Sequence, residues 1–150
     1  MRKYKNAFTM IELIFVIVVL GILASIAIPK LAVTRNDAVL AKGKTDVATI
    51  RAAIVTERQS QLIKGVNTWM PKLSNGTGNL FTGSDENRTL LMYGIAPGEW
   101  AHGSVAATTD SYTFTAAGVS TTFTYTNTGA TGGTFVCTPA STNNCSNLTD

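Results

Sequence analysis

Chemically reactive side chains are scarce in this sequence. One histidine and two cysteines occur among its 150 residues. Hydrolytic and transfer enzymes set a nucleophile beside a base, but His102 is the sole histidine and no glycine-rich phosphate loop is present. Enzymatic activity is therefore not expected, nor is a cofactor. A structural zinc site usually takes four ligands, which His102, Cys137 and Cys145 do not supply. Acids are equally sparse: none stands between Asp110 and Asp150, which leaves that stretch without a calcium-ligand set. No metal is expected.

A cationic surface is also missing. The formal charge is +3, but Arg2, Lys3 and Lys5 all precede residue 8, and without them nine cations face nine anions. Nucleic-acid binding needs a basic patch on the folded domain, so charge gives it no support. The later cations alternate with anions (Arg35, Asp37, Lys42, Lys44, Asp46, Arg51, Glu57, Arg58), as on a solvated helix face.

What the sequence does have is one long apolar run, Phe8 to Ile28, with Glu12 as its only charge. As a helix rising about 1.5 Å per residue it reaches roughly 30 Å, the thickness of a bilayer's hydrocarbon core. A buried helix of that length, apolar on every face, would need a larger protein around it. The density of leader cations favours a cytoplasmic N-terminus. A rival reading is a cleaved secretory signal peptide, with small residues at Ser25 and Ala27 before the cut. Against it stand the length of the run, Pro29 just beyond that cut, and Glu12 inside the segment. A carboxylate in hydrocarbon is costly, and an acid there is a functional hypothesis by default. The plainer account places Glu12 in the first helical turns, near the interface and the positive end of the helix dipole.

Basic residues, then Asn6-Ala7, then Phe8-Thr9-Met10-Ile11-Glu12, then the apolar run, closely resemble the class III leader of type IV pilins and type II secretion pseudopilins. The resemblance covers residues 1 to about 40. It implies a leader, residues 1–7, removed by a prepilin peptidase that cuts between Ala7 and Phe8. The family usually has Gly where this chain has Ala7. It further implies N-methylation of Phe8 and an assembly role for Glu12, pairing with the α-amine of a neighbouring subunit. The implied partners are other pilin-like subunits, the peptidase, an inner-membrane assembly platform and the lipid bilayer. The implied location is the inner membrane, single-pass with the head periplasmic, and then a periplasmic or extracellular filament.

Beyond residue 29 the apolar positions Leu40, Gly43, Val47, Ile50 and Ile54 are spaced as one helix face. Pro29 removes one helical hydrogen bond and bends the axis, and Gly21 softens the spanning half. The resemblance favours one long helix kinked there over a boundary at Pro29. Its halves are 8–29 in the membrane and 30–64 amphipathic, with Lys64-Gly65 as the stop. Residues 65–150 form the rest. A loop-rich connection to about residue 100 carries a short helix around Glu86–Met92. Trp69 and Trp100 are small-core anchors. After Ser104, alternation in Tyr112-Thr-Phe114-Thr, Phe123-Thr-Tyr125-Thr and Thr134-Phe-Val136 predicts antiparallel strands with one apolar face, turning at Ala117-Gly118 and Gly132-Gly133. The long helix covers that face, giving an α+β fold.

Cys137 and Cys145 are expected to pair, since an exported chain meets an oxidising compartment. Many pilins close a C-terminal loop in that way. Asp85-Glu86-Asn87-Arg88-Thr89 contains Asn-x-Thr, which makes Asn87 a candidate glycan acceptor. The leading functional reading is a structural subunit of a type IV pilus-like or type II secretion pseudopilus filament. The alternative is a minor pilin-like binding module for DNA uptake or a secreted substrate. The acid-poor C-terminal region argues against the major pseudopilin.

Overall fold

The computed structural model describes residues 8–76, 78–85, 87–139 and 143–149. The leader with Ala7, and Glu86 of the candidate acceptor motif, lie outside them. Helix α1 runs Met10–Ile63 and passes through Pro29 without interruption. Then come β1 (Gly83–Asp85), β2 (Arg88–Thr89), β3 (Trp100–Val105), β4 (Thr109–Ala116), β5 (Val119–Thr126), β6 (Phe135–Thr138) and α2 (Asn143–Thr149). The chain forms two compact units that meet between Asp37 and Ala38.

In the first unit α1 buries nothing. Apolar side chains stand open all round it, from Phe8 and Leu13 through Ile17 and Leu23 to Leu31. A helix apolar on every face and packed against no protein is suited to lipid. Its most apolar window has a mean hydropathy of 2.9 and is long enough to cross a membrane.

The second unit is built on the last turns of α1. Gly43, Val47, Ile50 and Ile54 form the buried stripe that their spacing predicts, and Glu57 and Gln61 continue it. Leu40 is half-buried against the same core. The helix ends in a Schellman motif: the Val66 N–H donates to the Gln61 carbonyl and the Gly65 N–H to the Leu62 carbonyl. Gly65 supplies the required positive φ of 80°.

This stripe lies on an antiparallel sheet of order β3-β4-β5-β6. The inner face alternates as the sequence predicts, with Tyr112, Phe114 and Ala116 of β4, Phe123 and Tyr125 of β5, and Phe135 and Cys137 of β6 buried. The rings interlock, Phe81 on Tyr112 at 4.3 Å and Trp100 on Phe114 at 4.9 Å between centroids. Ala117 and Gly118, both with positive φ, make the two-residue turn joining β4 to β5. The fold is α+β, a long helix packed on a small sheet.

Three elements differ from the sequence expectation. β3 falls between the expected end of the loop-rich connection, about residue 100, and the strands expected after Ser104. Gly103 and a register shift between His102 and Val105 break its periodicity. The helix expected around residues 86–92 is replaced by an antiparallel ribbon of β1 and β2. There Asp85 Oδ1 accepts the backbone N–H groups of Asn87 and Arg88, each at 2.9 Å, an Asx-type turn that competes with helix. The Leu90 and Leu91 N–H groups then bond across to the Thr82 and Phe81 carbonyls. Finally, α2 forms from polar residues of low helix propensity. It is held by the Cys137–Cys145 disulfide and by Leu148, which is buried against Gly43.

Candidate functional site

At the start of α1, Thr9 and Glu12 form a reciprocal cap. The Thr9 N–H donates to Glu12 Oε2 at 2.9 Å and the Thr9 hydroxyl to the same oxygen at 2.7 Å. The Glu12 N–H donates back to Thr9 Oγ1 at 3.3 Å. This is a capping box, Thr at the N-cap and Glu three residues on, which satisfies two otherwise orphaned backbone donors. Both side-chain bonds fall on Oε2. Among the described residues, Oε1 accepts none and is open to a donor from outside the chain. Thr9 has no role of its own in the sequence-based expectation, although Thr-x-x-Glu before an apolar run carries the signal.

Phe8 precedes this cap and is 90% exposed. Gly21 has nothing within 4 Å of where a Cβ would stand, and Pro29 sits inside the helix. Phe8 and Glu12 are thus neighbours at one end of the apolar helix. Cys137, Cys145 and Asn87 belong to the other unit.

Residues 2–28 match the family model described as the prokaryotic N-terminal methylation motif. The chain carries a prepilin-type methylation signal. This prepilin-type segment joins the basic leader to the apolar part of α1, with Phe8, Thr9 and Glu12 inside it. It is the signal of type IV pilins and pseudopilins. No curated protein matches the chain, and no solved structure does.

Two polar nodes in the second unit were missed from sequence. Arg88 grips Glu57 through two bonds, Nε to Oε1 at 2.8 Å and Nη2 to Oε2 at 3.1 Å. It also donates to the Trp69 and Thr68 carbonyls, each at 3.1 Å. Asp110, fully buried, accepts from the Leu73 N–H at 2.9 Å and the Tyr112 hydroxyl at 2.6 Å, and its other oxygen meets His102 Nε2 at 2.7 Å. Burial first, and then the bond to Asp110, raises the Tyr112 phenol well above its ordinary value. The hydroxyl of Ser74 bonds Tyr112 rather than His102. Trp100 is buried and donates from Nε1 to Asp46 at 3.0 Å. Trp69 is half-buried, with Arg58 4.7 Å from its ring centroid and Gly132 and Gly133 against the ring. Both tryptophans are packing anchors.

Proposed function

We propose that this chain is a structural subunit of a type IV pilus-like or type II secretion pseudopilus filament, held in the inner membrane before assembly. The observation that carries the reading is the prepilin-type signal at residues 2–28, continuous with a helix apolar on all sides. A prepilin peptidase removes residues 1–7 by cutting between Ala7 and Phe8, and the new amine of Phe8 is methylated. The leader lies in the cytoplasm, and the sheet-bearing unit lies in the periplasm. Gly21 and Pro29 are the points at which α1 bends. On leaving the lipid, the helix packs among the helices of other subunits, and the Phe8 amine of a neighbour meets Glu12.

Coulomb attraction between two unit charges grows from about 1 kcal/mol at 4 Å in water to several kcal/mol in a less polar medium. A lone acid among apolar helices is penalised, so pairing it with an amine favours one register. The free Oε1 supports this division of labour, since Oε2 is occupied by Thr9. Mass spectrometry of the membrane-extracted protein tests the processing, with methylated Phe8 expected as the first residue; a start at Ile28 would refute the proposal. Glu12→Ala is expected to leave cleavage intact and to reduce incorporation into filaments at least tenfold. Filaments of normal yield from that variant would remove the assembly role.

A further inference from the structure

Beside the last turns of α1 lies a groove of about 360 Å³, lined by Thr56, Ser60, Gln61, Lys64, Asn87 and Thr89 over an apolar base of Ala53 and Leu90. Its volume falls within the range of small-molecule clefts, about 300–1,000 Å³. Gln61 is 6% exposed, yet among the described residues its side-chain amide has no hydrogen-bond partner. The amide opens onto the groove, where it can both donate to and accept from an occupant. Among the described residues of the wall the one carboxylate, Glu57, is already neutralised by Arg88. What faces the groove is therefore hydroxyls, two amides and the Lys64 ammonium. That set suits a polyhydroxylated ligand better than an apolar one.

Asn87 identifies the occupant. It lies on the groove wall in the turn of the β1–β2 ribbon, exposed and with its side-chain amide free of bonds among the described residues. It is also the acceptor position of Asn87-Arg88-Thr89, with Asp85 two residues before it. We propose that Asn87 carries an N-linked oligosaccharide whose first sugar seats in this groove against Gln61. The donor is an oligosaccharide linked to a lipid pyrophosphate. Asn87 Nδ2 bonds to the anomeric carbon, the bond from that carbon to the pyrophosphate oxygen breaks, and one amide proton is released as the lipid pyrophosphate departs. Transfer takes place while the ribbon is open, because the Asp85 turn and the Glu57–Arg88 pair hold Asp85, Asn87 and Arg88 too tightly for an enzyme to extend them.

The inference rests on the proposed export of this unit from the cytoplasm. One mass-spectrometric measurement on full-length protein from its native membranes separates the two readings, since it reports both the Phe8 terminus and the Asn87 peptide. A sugar mass increment on the Asn87 peptide is expected, with sugar-specific fragment ions. It is expected to be absent in Asn87→Gln and in Thr89→Val. Unmodified Asn87 beside a methylated Phe8 overturns the glycan while leaving the filament subunit standing. The groove is tested by a thermal cycle. Asn87→Gln is expected to lower Tm by a few degrees in the native background, and by less once Gln61→Leu has removed the amide. Equal shifts in both backgrounds would overturn the seating.

Discussion

Gly43 lies against Phe114 of β4 and Leu148 of α2, and Gly43→Ala discriminates between two opposed effects. On helix propensity alone, alanine gains about 0.8–1.0 kcal/mol over glycine inside a helix. In this fold an ideal Cβ at position 43 would stand 2.8 Å from Leu148 Cδ2 and closer still to Phe114 Cζ. Relaxed carbon contacts are about 3.5–4.0 Å. Phe114 has little room to retreat, being fully buried with Trp100 at 4.9 Å between ring centroids. Overpacking of this kind costs about 1–3 kcal/mol. The net expectation is a loss of about 1 kcal/mol, against a gain of similar size if the contact were absent. Urea unfolding of the detergent-solubilised full chain, followed by the fluorescence of buried Trp100, measures it. A second variant isolates the cause: Leu148→Ala removes one of the two clashing groups, so the double mutant should show a favourable coupling of about 0.5 kcal/mol or more. An unfolding midpoint that rises in Gly43→Ala would refute the packing argument.

Other perturbations act on single features of the second unit. Arg88→Ala leaves Glu57 buried without its partner, and breaking such a pair costs about 3–5 kcal/mol; a loss under 1 kcal/mol in the same urea assay would mean that water replaces the guanidinium. Ala117 holds a φ of 53° in a turn that favours Asn-Gly, so Ala117→Asn is expected to stabilise by about 1 kcal/mol, read as a higher midpoint. Tyr112 and Tyr125 both have phenols raised above 10.0, chiefly by burial. The neutral phenol is the form the fold favours, so stability is intact below about pH 10 and falls as pH rises beyond it, by up to about 1.4 kcal/mol per pH unit for each tyrosine. Tyr112→Phe should reduce that alkaline slope, and an unchanged slope would exclude Tyr112 as a contributor.

The parts of the fold that were legible in the sequence are those where one local period sets the burial. The apolar run and the spacing of Gly43, Val47, Ile50 and Ile54 describe α1, and Gly65 marks its end. Alternation in β4, β5 and β6 places their aromatics on one face. Periodicity fails where a partner distant in sequence decides the structure. β3 owes its place to pairing with β4, Trp100 opposite Phe114, and its Gly103 and shifted register hide the alternation. The β1–β2 ribbon is fixed by the Asp85 turn and by pairing, and α2 is held by a disulfide and by Leu148. None of these carries a local apolar pattern long enough to read. At the N-terminus the resemblance singled out Phe8 and Glu12. It gave no reason to look at Thr9, whose role is local hydrogen-bond geometry.

The buried polar residues follow a rule that the sequence could not display. The described residues between α1 and β3 have little regular structure beyond the β1–β2 ribbon, so most of their backbone groups have no ladder to join. Buried N–H and C=O groups must nevertheless be paired. Side chains supply the partners. Asp110 accepts the Leu73 N–H, and Ser74 Oγ accepts the Phe81 N–H. The Tyr125 hydroxyl donates to the Met70 carbonyl. Arg88, itself neutralised by Glu57, donates to the carbonyls of Thr68 and Trp69. An arginine, an aspartate and a tyrosine are engaged here in backbone satisfaction. Gln61 departs from the rule. It is a buried polar side chain on the same helix face as Glu57, yet it holds no backbone group and faces the groove beside Asn87. Among the described residues Arg58 Nη1, Thr82 Oγ1 and Thr121 Oγ1 are also buried without a partner, but none of them lines the groove; Gln61 does, beside Asn87, and that placement is the physical ground for seating a sugar there.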